Sequence, residues 1–293
     1  MSLRAIVRQL GGDLYDGGRR ANIPAPGHSR ADRSVSLLER DGKIIVHTFG
    51  DGDWRQVRDH LRGLGLIGAG RRASPAAPST AAADLAALSM RRRAAEALWA
   101  AARPLANTLS ARHCQGRGMV CALPGPDALR HHPAAPISVY RPGRARRPAL
   151  LAGVRDADGA LTAVEVTYLT PGGRRAFDLA LSRKTIGVLP AGSAVRLDPL
   201  AADLLVAEGV FTAAAAGRRF SRPAWALLST SNLRRWRPPP GVRSLLIAAD
   251  RGPDGEASAA RLAQTATEGG VVSTIALPPP GFGDWDEALN GRR

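Results

Sequence analysis

The chain has 293 residues, of which 44% are hydrophobic, and it carries a formal net charge of +16. No apolar run approaches the ~20 residues that a membrane-spanning helix needs, and residues 1–5 lack the apolar core of a signal peptide. We therefore expect a soluble cytoplasmic protein of two or three compact units that neither spans a membrane nor is secreted.

The positive charge is concentrated upstream of residue 200. Residues 1–199 carry 30 Lys and Arg against 16 Asp and Glu, whereas residues 200–293 carry 11 against 9. A basic surface attracts polyanions, and neutralisation of phosphates supplies most of the sequence-independent affinity for nucleic acid. The distribution favours a protein whose upstream part binds nucleic acid, with plain surface charge as the competing interpretation.

Residues 1–67 form the first predicted unit. Within it, residues 35–38 and 43–47 flank Asp41-Gly42, and an Asp-Gly turn between two such runs predicts a β-hairpin. A helix is predicted to follow from Asp53, which would cap it. Three apolar side chains fall on one face of this helix, namely Trp54, Val57 and Leu61.

Residues 68–83 are rich in Pro, Ser and Ala without apolar periodicity, which predicts a linker. Two Ala-rich helices are expected next, over residues 84–102 and 104–115, with Pro104 at the start of the second. The two cysteines, Cys114 and Cys121, are too few for a metal cluster and are expected to be reduced and buried.

The predicted middle unit, residues 84–199, continues with a turn at Arg130-His131-His132-Pro133. Residues 149–155 and 161–168 then flank an Asp-Gly turn at 156–159 and predict a second hairpin. Before residue 200 comes a cluster of basic side chains that are candidate phosphate contacts, with plain surface charge an equal alternative: Arg174, Arg175, Arg183 and Lys184.

Carboxylates follow the apolar strands of the last unit, residues 200–293. Residues 203–207 lead to Glu208-Gly209, residues 245–249 lead to Asp250, and Asp284-Trp285-Asp286 comes near the end. Because parallel strands of an open α/β sheet deliver their last residues to one edge, these acids should meet there. Gathered carboxylates repel one another unless a hard divalent cation binds between them, so the pattern predicts a magnesium site.

This order of motifs resembles the Toprim domain, the metal-dependent catalytic fold of bacterial-type primases, topoisomerases and some nucleases. The resemblance spans residues 201–289. Residues 223–229 with Asn232-Leu233 are similar to the second strand and helix of Toprim proteins from phages and plasmids, and residues 284–289 to their closing motif. The resemblance implies an α/β fold with a C-terminal Toprim domain, an α+β middle unit that resembles the region before Toprim in phage and plasmid primases, and a small N-terminal β-ribbon.

Two acids of the family pattern are absent. Primase relatives carry an acid where this chain has Thr212, and an Asp-x-Asp motif where it has Asp250-Arg251-Gly252. Asp254 could reach the site through the Gly252-Pro253 turn. A Toprim fold that catalyses poorly or not at all is therefore an open alternative.

The first unit resembles the zinc ribbon that opens phage and plasmid primases. His28 stands at one ligand position, but the cysteine positions correspond to Ile23, Thr48 and Gly52, which cannot bind zinc in that role. His47 is a further nitrogen donor, yet two histidines fall short of four ligands. We therefore expect a zinc-ribbon-like module without zinc.

The resemblance implies Mg²⁺- or Mn²⁺-dependent nucleotidyl transfer, that is, primer synthesis in the DNA replication of a prophage or other mobile element. Glu208 and Asp250 would be catalytic and would bind metal together with Asp284 and Asp286, with Asp254 as a further candidate ligand. Expected partners are single-stranded DNA or an RNA–DNA hybrid, nucleoside triphosphates and a separate helicase, since the chain has no phosphate-binding loop motif. The alternatives are Toprim-type phosphodiester hydrolysis and a replication accessory protein that only binds nucleic acid.

Overall fold

The structure is a computed structural model that consists of two compact units, Met1–Ser79 and Thr80–Arg293. It describes residues 2–27, 30, 32–40, 43–48, 54–67, 81–120, 123–140, 143–179 and 181–291. Most of the linker predicted at residues 68–83 lies outside the described residues, and residues 81–83 already belong to a helix.

The first unit is an antiparallel sheet with two helices. Its elements are α1 (Leu3–Leu10), β1 (Asp13–Tyr15), β2 (Arg20–Ile23), β3 (Val35–Arg40), β4 (Lys43–Thr48) and α2 (Trp54–Gly63). The strands follow one another in the sheet in the order β1-β2-β3-β4. The hairpin predicted from the Asp-Gly pair is confirmed, because β3 and β4 pair with Arg40 opposite Lys43.

The helix α2 packs on the core of this unit with fewer side chains than its pattern predicts. Val57 and Leu61 are buried, but Trp54 is 40% exposed. The guanidinium groups of Arg55 and Arg58 lie 5.0 Å and 4.8 Å from the centre of the Trp54 ring. The prediction that Trp54 joins the core face is therefore wrong. At the first helical residue its ring instead contacts two cations through its π face.

The second unit begins with two helices and an antiparallel sheet. These elements are α3 (Ala81–Ala100), α4 (Leu109–Gly116), β5 (Leu129–Pro136), β6 (Arg146–Arg155), β7 (Leu161–Tyr168) and β8 (Arg183–Gly187). The strand order is β5-β6-β7-β8. The second predicted hairpin is confirmed, since β6 and β7 are antiparallel and pair from Ala149 opposite Tyr168 to Arg155 opposite Leu161.

The helix predicted from Pro104 begins later, at Leu109. Thr108 is its N-cap, and the Thr108 Oγ1 accepts a hydrogen bond of 3.1 Å from the backbone N–H of Ala111. The segment before it is held away from helical geometry by a long-range contact. The backbone N–H of Arg103 donates to the carbonyl of His131 (2.9 Å), and that of His131 donates to the carbonyl of Arg103 (2.8 Å).

The turn predicted at residues 130–133 is likewise wrong, because these residues lie in strand β5. His131 pairs with Leu150 and His132 with Ala149, and the register shifts between His132 and Ala135. The strand thus accommodates Pro133 at an irregularity, where no ladder hydrogen bond from its nitrogen is needed.

The C-terminal part is an α/β sheet. Its elements are β9 (Val195–Arg196), β10 (Asp203–Ala207), α5 (Val210–Phe220), β11 (Ala224–Ala226), α6 (Thr230–Arg235), β12 (Ser244–Ala248), α7 (Pro253–Glu268), β13 (Val272–Ala276) and α8 (Trp285–Asn290). The strand order is β13-β12-β10-β11-β9; four strands are parallel, and β9 runs antiparallel to β11. The predicted α/β class is confirmed.

The two sheets of the second unit share backbone bonds and a core. Arg155 at the end of β6 and Ala194 just before β9 exchange two backbone hydrogen bonds of 2.9 Å each. One apolar cluster contains Leu150 and Val154 from the antiparallel sheet together with Leu205 and Phe211 from the C-terminal part. Within the described ranges, no helix combines the length and the apolar character that crossing a membrane requires.

Candidate metal and nucleotide site

The two central parallel strands place acids at the carboxyl edge of the sheet. β10 and β12 are neighbours in register, with Ala207 opposite Ala248, and Glu208 and Asp250 follow them. Both strands are short runs of buried aliphatic residues. Such runs suit the inner strands of a parallel sheet, because both faces of that sheet are covered. The position of both acids beyond the strand ends follows directly from this register.

The third acid, Asp284, is brought to the same edge by two backbone hydrogen bonds. The N–H of Ala249 donates to the carbonyl of Ala276 at the end of β13 (3.0 Å). The N–H of Arg251 donates to the carbonyl of Gly283 (2.7 Å), the residue before Asp284. The segment that carries Asp250 is therefore tied to the loop that carries Asp284.

Asp284 is also the N-cap of α8. Its Oδ1 accepts a hydrogen bond of 2.7 Å from the backbone N–H of Glu287, and the Glu287 side chain in turn accepts one of 2.8 Å from the N–H of Gly283. This reciprocal capping satisfies two N–H groups at the helix start. It fixes the orientation of the Asp284 carboxylate.

Asp250 is the most perturbed acid of the group. Burial raises its pKa to about 7, helped by the negative charges of Glu208 and Asp284, while the Arg183 guanidinium acts in the opposite direction. The Asp250 Oδ1 is buried and has no hydrogen-bond partner among the described residues. A buried carboxylate oxygen without a partner is costly, and a bound cation would remove that cost.

Glu208 and Asp284 are perturbed in the same direction. Burial raises the pKa of Glu208, and the charge of Asp254 raises it further, against Arg183 and Arg234. Burial also raises the pKa of Asp284, against the hydrogen bond from Glu287. Three acids at one edge thus all resist ionisation.

Asp254 and Asp286 are placed differently from the central three. Asp254 lies in the first turn of α7 and forms an ion pair with Arg234. Asp286, which is buried, forms an ion pair with Arg117 and accepts a hydrogen bond of 2.9 Å from the Asn290 side chain. Asp286 was predicted as a metal ligand, but in the structure its carboxylate is paired with the Arg117 guanidinium.

The three acids Glu208, Asp250 and Asp284 match a hard divalent cation in their donor chemistry. All donors are carboxylate oxygens, which Mg²⁺ and Mn²⁺ prefer, and Asp250 Oδ1 is buried without a partner. In the part of the chain that the structure describes, however, no three His, Cys, Asp or Glu side chains form a group that could hold a metal ion.

The four basic candidates differ in their surroundings. The Arg183 side chain lies 3.9 Å from Glu165, and its positive charge opposes the rise in the pKa of Glu208 and Asp250. Lys184 donates a 2.5 Å hydrogen bond to the carbonyl of Ile137 and lies over the Tyr168 ring. Arg175 donates a 2.8 Å hydrogen bond to Ser182, whereas Arg174 is exposed and is held through its backbone, which bonds to the Thr170 hydroxyl and to the Thr170 N–H.

Two buried side chains beside these candidates were not predicted. Glu165 in β7 has a pKa raised by burial and opposed by Arg183 and Arg175. His113 in α4 donates through Nδ1 to the carbonyl of Gly173 (3.1 Å), while its Nε2 is buried without a partner among the described residues. The sequence signal for Glu165 was an acid inside the apolar run of residues 163–166, whereas none marked His113.

In the first unit, the positions compared with zinc ligands have other surroundings. Ile23 is buried at 1% exposure in the core, and Thr48 pairs with Val35 between β4 and β3. His28 and Gly52 lie outside the described residues. Ile23 therefore packs as an apolar core residue, and Thr48 serves as a strand residue.

The fold and the edge acids define an α/β protein with three electrostatically coupled carboxylates that follow the strands of a parallel sheet. Residues 203–292 match the family described as the Toprim domain, and residues 89–197 match a family described as a domain of unknown function, DUF7146. Residues 203–292 thus belong to the Toprim domain family, and the predicted Toprim-domain protein is confirmed. No curated protein matches the chain by sequence.

Three similar solved structures are all of primases. The primase fragment of the bacteriophage T7 primase-helicase is 15% identical, with a TM-score of 0.38 over 60% of this chain and 62% of that one. The Aquifex aeolicus primase (zinc-binding and RNA polymerase domains) is 12% identical, with a TM-score of 0.42 over 98% and 79%. A Pseudomonas aeruginosa DNA primase domain is 17% identical, with a TM-score of 0.43 over 70% and 74%. The chain thus spans under two thirds of the T7 fragment.

Proposed function

We propose that the protein catalyses Mg²⁺- or Mn²⁺-dependent nucleotidyl transfer on a single-stranded DNA template, that is, primer synthesis. The observation that carries this proposal is that the charges of Glu208 and Asp284 act on Asp250, and that each of the three acids has a raised pKa. Acids in this state favour a divalent cation over isolated negative charge. The Toprim match over residues 203–292 supports the same chemistry.

Glu208, Asp250 and Asp284 would hold the metal ion through carboxylate oxygens. Bound there, it would supply charge neutralisation for a triphosphate and orientation for an attacking hydroxyl. Alternatively, Glu208 would act as a general base instead of binding the metal, because its raised pKa lets the carboxylate accept a proton more readily. Arg183, which lies beside the acids, and the exposed Arg174 would bind phosphates of the nucleotide or the template.

The division of labour that we propose follows the charge distribution. Residues 1–67 would form a module without zinc, residues 68–83 a linker, residues 84–199 the part that binds nucleic acid, and residues 200–293 the catalytic Toprim domain. The resemblance to phage and plasmid primases supports a role in the replication of a mobile element in the cytoplasm. A separate helicase would be the partner.

A second candidate function is binding without catalysis. It is favoured by Thr212, which is buried in α5 where primase relatives carry an acid, and by the ion pair that occupies Asp286. A site with fewer free carboxylates binds a cation more weakly. In this case the chain would be a replication accessory protein that binds single-stranded DNA or an RNA–DNA hybrid.

The test is a primer-synthesis assay on single-stranded DNA with labelled nucleoside triphosphates and Mg²⁺ or Mn²⁺, beside a nuclease assay on the same template. Products of defined length that disappear in Asp250→Asn support the proposal. Degradation of the template would instead assign Toprim-type hydrolysis. Binding without either reaction would assign the accessory function. The matched control is Asp203→Asn, an exposed acid at the opposite end of β10.

A further inference from the structure

A cavity lies in the Thr80–Arg293 unit, on the exposed side of α4 where it meets β5. Its volume is about 580 Å³, within the range of small-molecule sites. It is lined by residues of the α3–α4 connection, α4, β5 and β6, and it shares no residue with the cluster of Glu208, Asp250 and Asp284. We refer to it as the α4 cavity.

The α4 cavity is cationic. Arg103 and Arg112 line it, no Asp or Glu does, and both arginines are exposed. Within the described residues, neither guanidinium forms a hydrogen bond or an ion pair. Other arginines of the same unit do find acids: Arg147 lies 2.7 Å from Asp178, for example. Two unpaired guanidinium groups on one concave surface form a ready site for an anion, above all for a phosphate.

His131 adds a buried hydrogen-bond acceptor to the same cavity. It is 3% exposed and lines the cavity, and its Nδ1 lies 2.8 Å from the hydroxyl oxygen of Ser110. The Ser110 hydroxyl oxygen also lies 3.1 Å from the carbonyl of Ala149, which can only accept, so when the hydroxyl donates there it accepts from Nδ1–H. The neutral ring then carries a lone pair on Nε2, for which no partner exists among the described residues.

The neutral form of His131 is consistent with its surroundings. Burial lowers the pKa of His131, and the charges of Arg103 and His132 lower it further. Its Nε2 is therefore suited to accept a hydrogen bond from a hydroxyl or amino group of a ligand. Pro133 and Pro148 form apolar walls, and the Gln115 amide is exposed on the same lining.

We propose that the α4 cavity binds a nucleotide-sized phosphate monoester, with Arg103 and Arg112 on the phosphate and His131 accepting a hydrogen bond from a hydroxyl or amino group beside it. Such a group occurs both on a free nucleoside monophosphate and on the 5′-phosphorylated end of an oligonucleotide. The shared chemistry is a terminal phosphate, rather than the diester phosphates of a nucleic-acid backbone. The site stands apart from the proposed catalytic centre.

The experiment is calorimetric titration of the full chain at low salt in EDTA, which suppresses metal-dependent binding elsewhere. The probes are adenosine 5′-monophosphate, adenosine, inorganic phosphate, and one trideoxyadenylate with either a 5′-phosphate or a 5′-hydroxyl, whose adenine keeps the amino group. The monophosphate should bind at least tenfold more tightly than adenosine, since charge-assisted hydrogen bonds are the strong ones. It should also bind more tightly than inorganic phosphate, which lacks the second group. The two oligonucleotides show whether the phosphate can come from a strand end. If strand ends can enter the cavity, the 5′-phosphorylated oligonucleotide binds there more tightly than the 5′-hydroxyl one. If they cannot enter, only the free nucleotide binds in the cavity.

Matched variants locate the binding. The double variant Arg103→Gln/Arg112→Gln should bind adenosine 5′-monophosphate at least tenfold more weakly than the wild type. The control is the double variant Arg91→Gln/Arg144→Gln, which removes the same charge from exposed residues outside the cavity. Its affinity for the monophosphate should equal that of the wild type. Asp250→Asn should leave it unchanged as well. Equal binding of the monophosphate by wild type and the Arg103/Arg112 variant, or loss of that binding in Asp250→Asn, would each overturn the proposal.

Discussion

Arg117 and Asp286 form an ion pair although they stand 169 residues apart in the chain. Arg117 follows α4, and Asp286 lies in the first turn of α8, two residues after Asp284. The Arg117 guanidinium also lies 4.6 Å from the centre of the Phe211 ring in α5. One arginine thus joins the region upstream of the Toprim domain to the helices that follow Glu208 and Asp284.

Arg117→Ala is expected to lower the free energy of unfolding by about 2–3 kcal/mol, because Asp286 is buried and would lose its counter-charge. The measurement is equilibrium urea unfolding. Arg218→Ala is a suitable comparison, because Arg218 donates to the nearby Gly118 carbonyl and the Asn290 side chain but makes no ion pair among the described residues. If both variants lost the same small amount of unfolding free energy, the ion pair between Arg117 and Asp286 would not contribute specially to stability.

Asp284 and Asp286 should separate in activity although they share a motif. Asp284→Asn should abolish metal-dependent nucleotidyl transfer, since it removes a proposed metal ligand. Asp286→Asn should retain most of it, because that side chain binds Arg117 and Asn290. Primer synthesis at saturating Mg²⁺ measures both. Equal loss in the two variants, with unfolding curves like that of the wild type, would return Asp286 to the ligand set.

The stability of the metal-free protein should fall as pH rises from about 4 to about 7. The folded Asp250 has a pKa of about 7 against an ordinary value of 3.8, so the folded state holds a proton that the unfolded state releases. The stabilising contribution of the protonated form is complete below pH 3.8 and is lost by about pH 7. Glu208 and Asp284 shift in the same sense.

Asp250→Asn should therefore gain stability relative to wild type between about pH 4 and about pH 7 and show a constant difference above that range. Urea unfolding in EDTA at half-unit pH steps measures this. Mg²⁺ added at pH 8 should stabilise the wild type and not the variant. A difference that does not change with pH would contradict the assigned pKa.

The first unit should fold without zinc. Protein purified without added metal should contain no stoichiometric zinc, and a chelator should not shift its unfolding curve. Ile23→Ala should destabilise the unit by about 2–5 kcal/mol, as expected for a truncated core residue. Stoichiometric zinc that is lost in His28→Ala would show that the ligand positions lie elsewhere.

Binding of single-stranded DNA should weaken with salt. Arg174→Gln should lower the slope of log affinity against log salt by about 0.7, the value of one phosphate contact on a single strand. Arg91→Gln, an exposed arginine of α3, serves as the control and should not change the slope. An unchanged slope in Arg174→Gln would remove it from the nucleic-acid surface.

The sequence predicted the part of the site that strand topology governs. Glu208 and Asp250 could be placed at one edge because buried runs in parallel register must end together. Asp286 could not be placed in this way, because its position depends on where α8 begins. With Asp284 as N-cap, a residue two positions later is rotated by about 200° around the helix, so the two carboxylates face opposite sides.

The other differences arise from contacts between distant segments. Pro104 has the local signature of a helix start, but the pairing of Arg103 with His131 in β5 overrides it. Residues 130–133 lie in a strand rather than a turn because β5 pairs with β6, with His131 opposite Leu150 and His132 opposite Ala149. Local propensity contains no information about a partner 28 positions away, and the Ser110–His131 hydrogen bond was invisible for the same reason.

The pairing of β9 with β11 has a consequence for how this Toprim domain could be moved between proteins. β9 precedes the family boundary at residue 203 yet supplies the last strand of the sheet, and Ala194 beside it is bonded to Arg155. A fragment cut at the family boundary would expose the backbone of β11, with Ala224, Trp225 and Ala226, as an apolar edge open to aggregation. Recombination that preserves folding should therefore exchange β9 and the residues upstream of it together with the sheet.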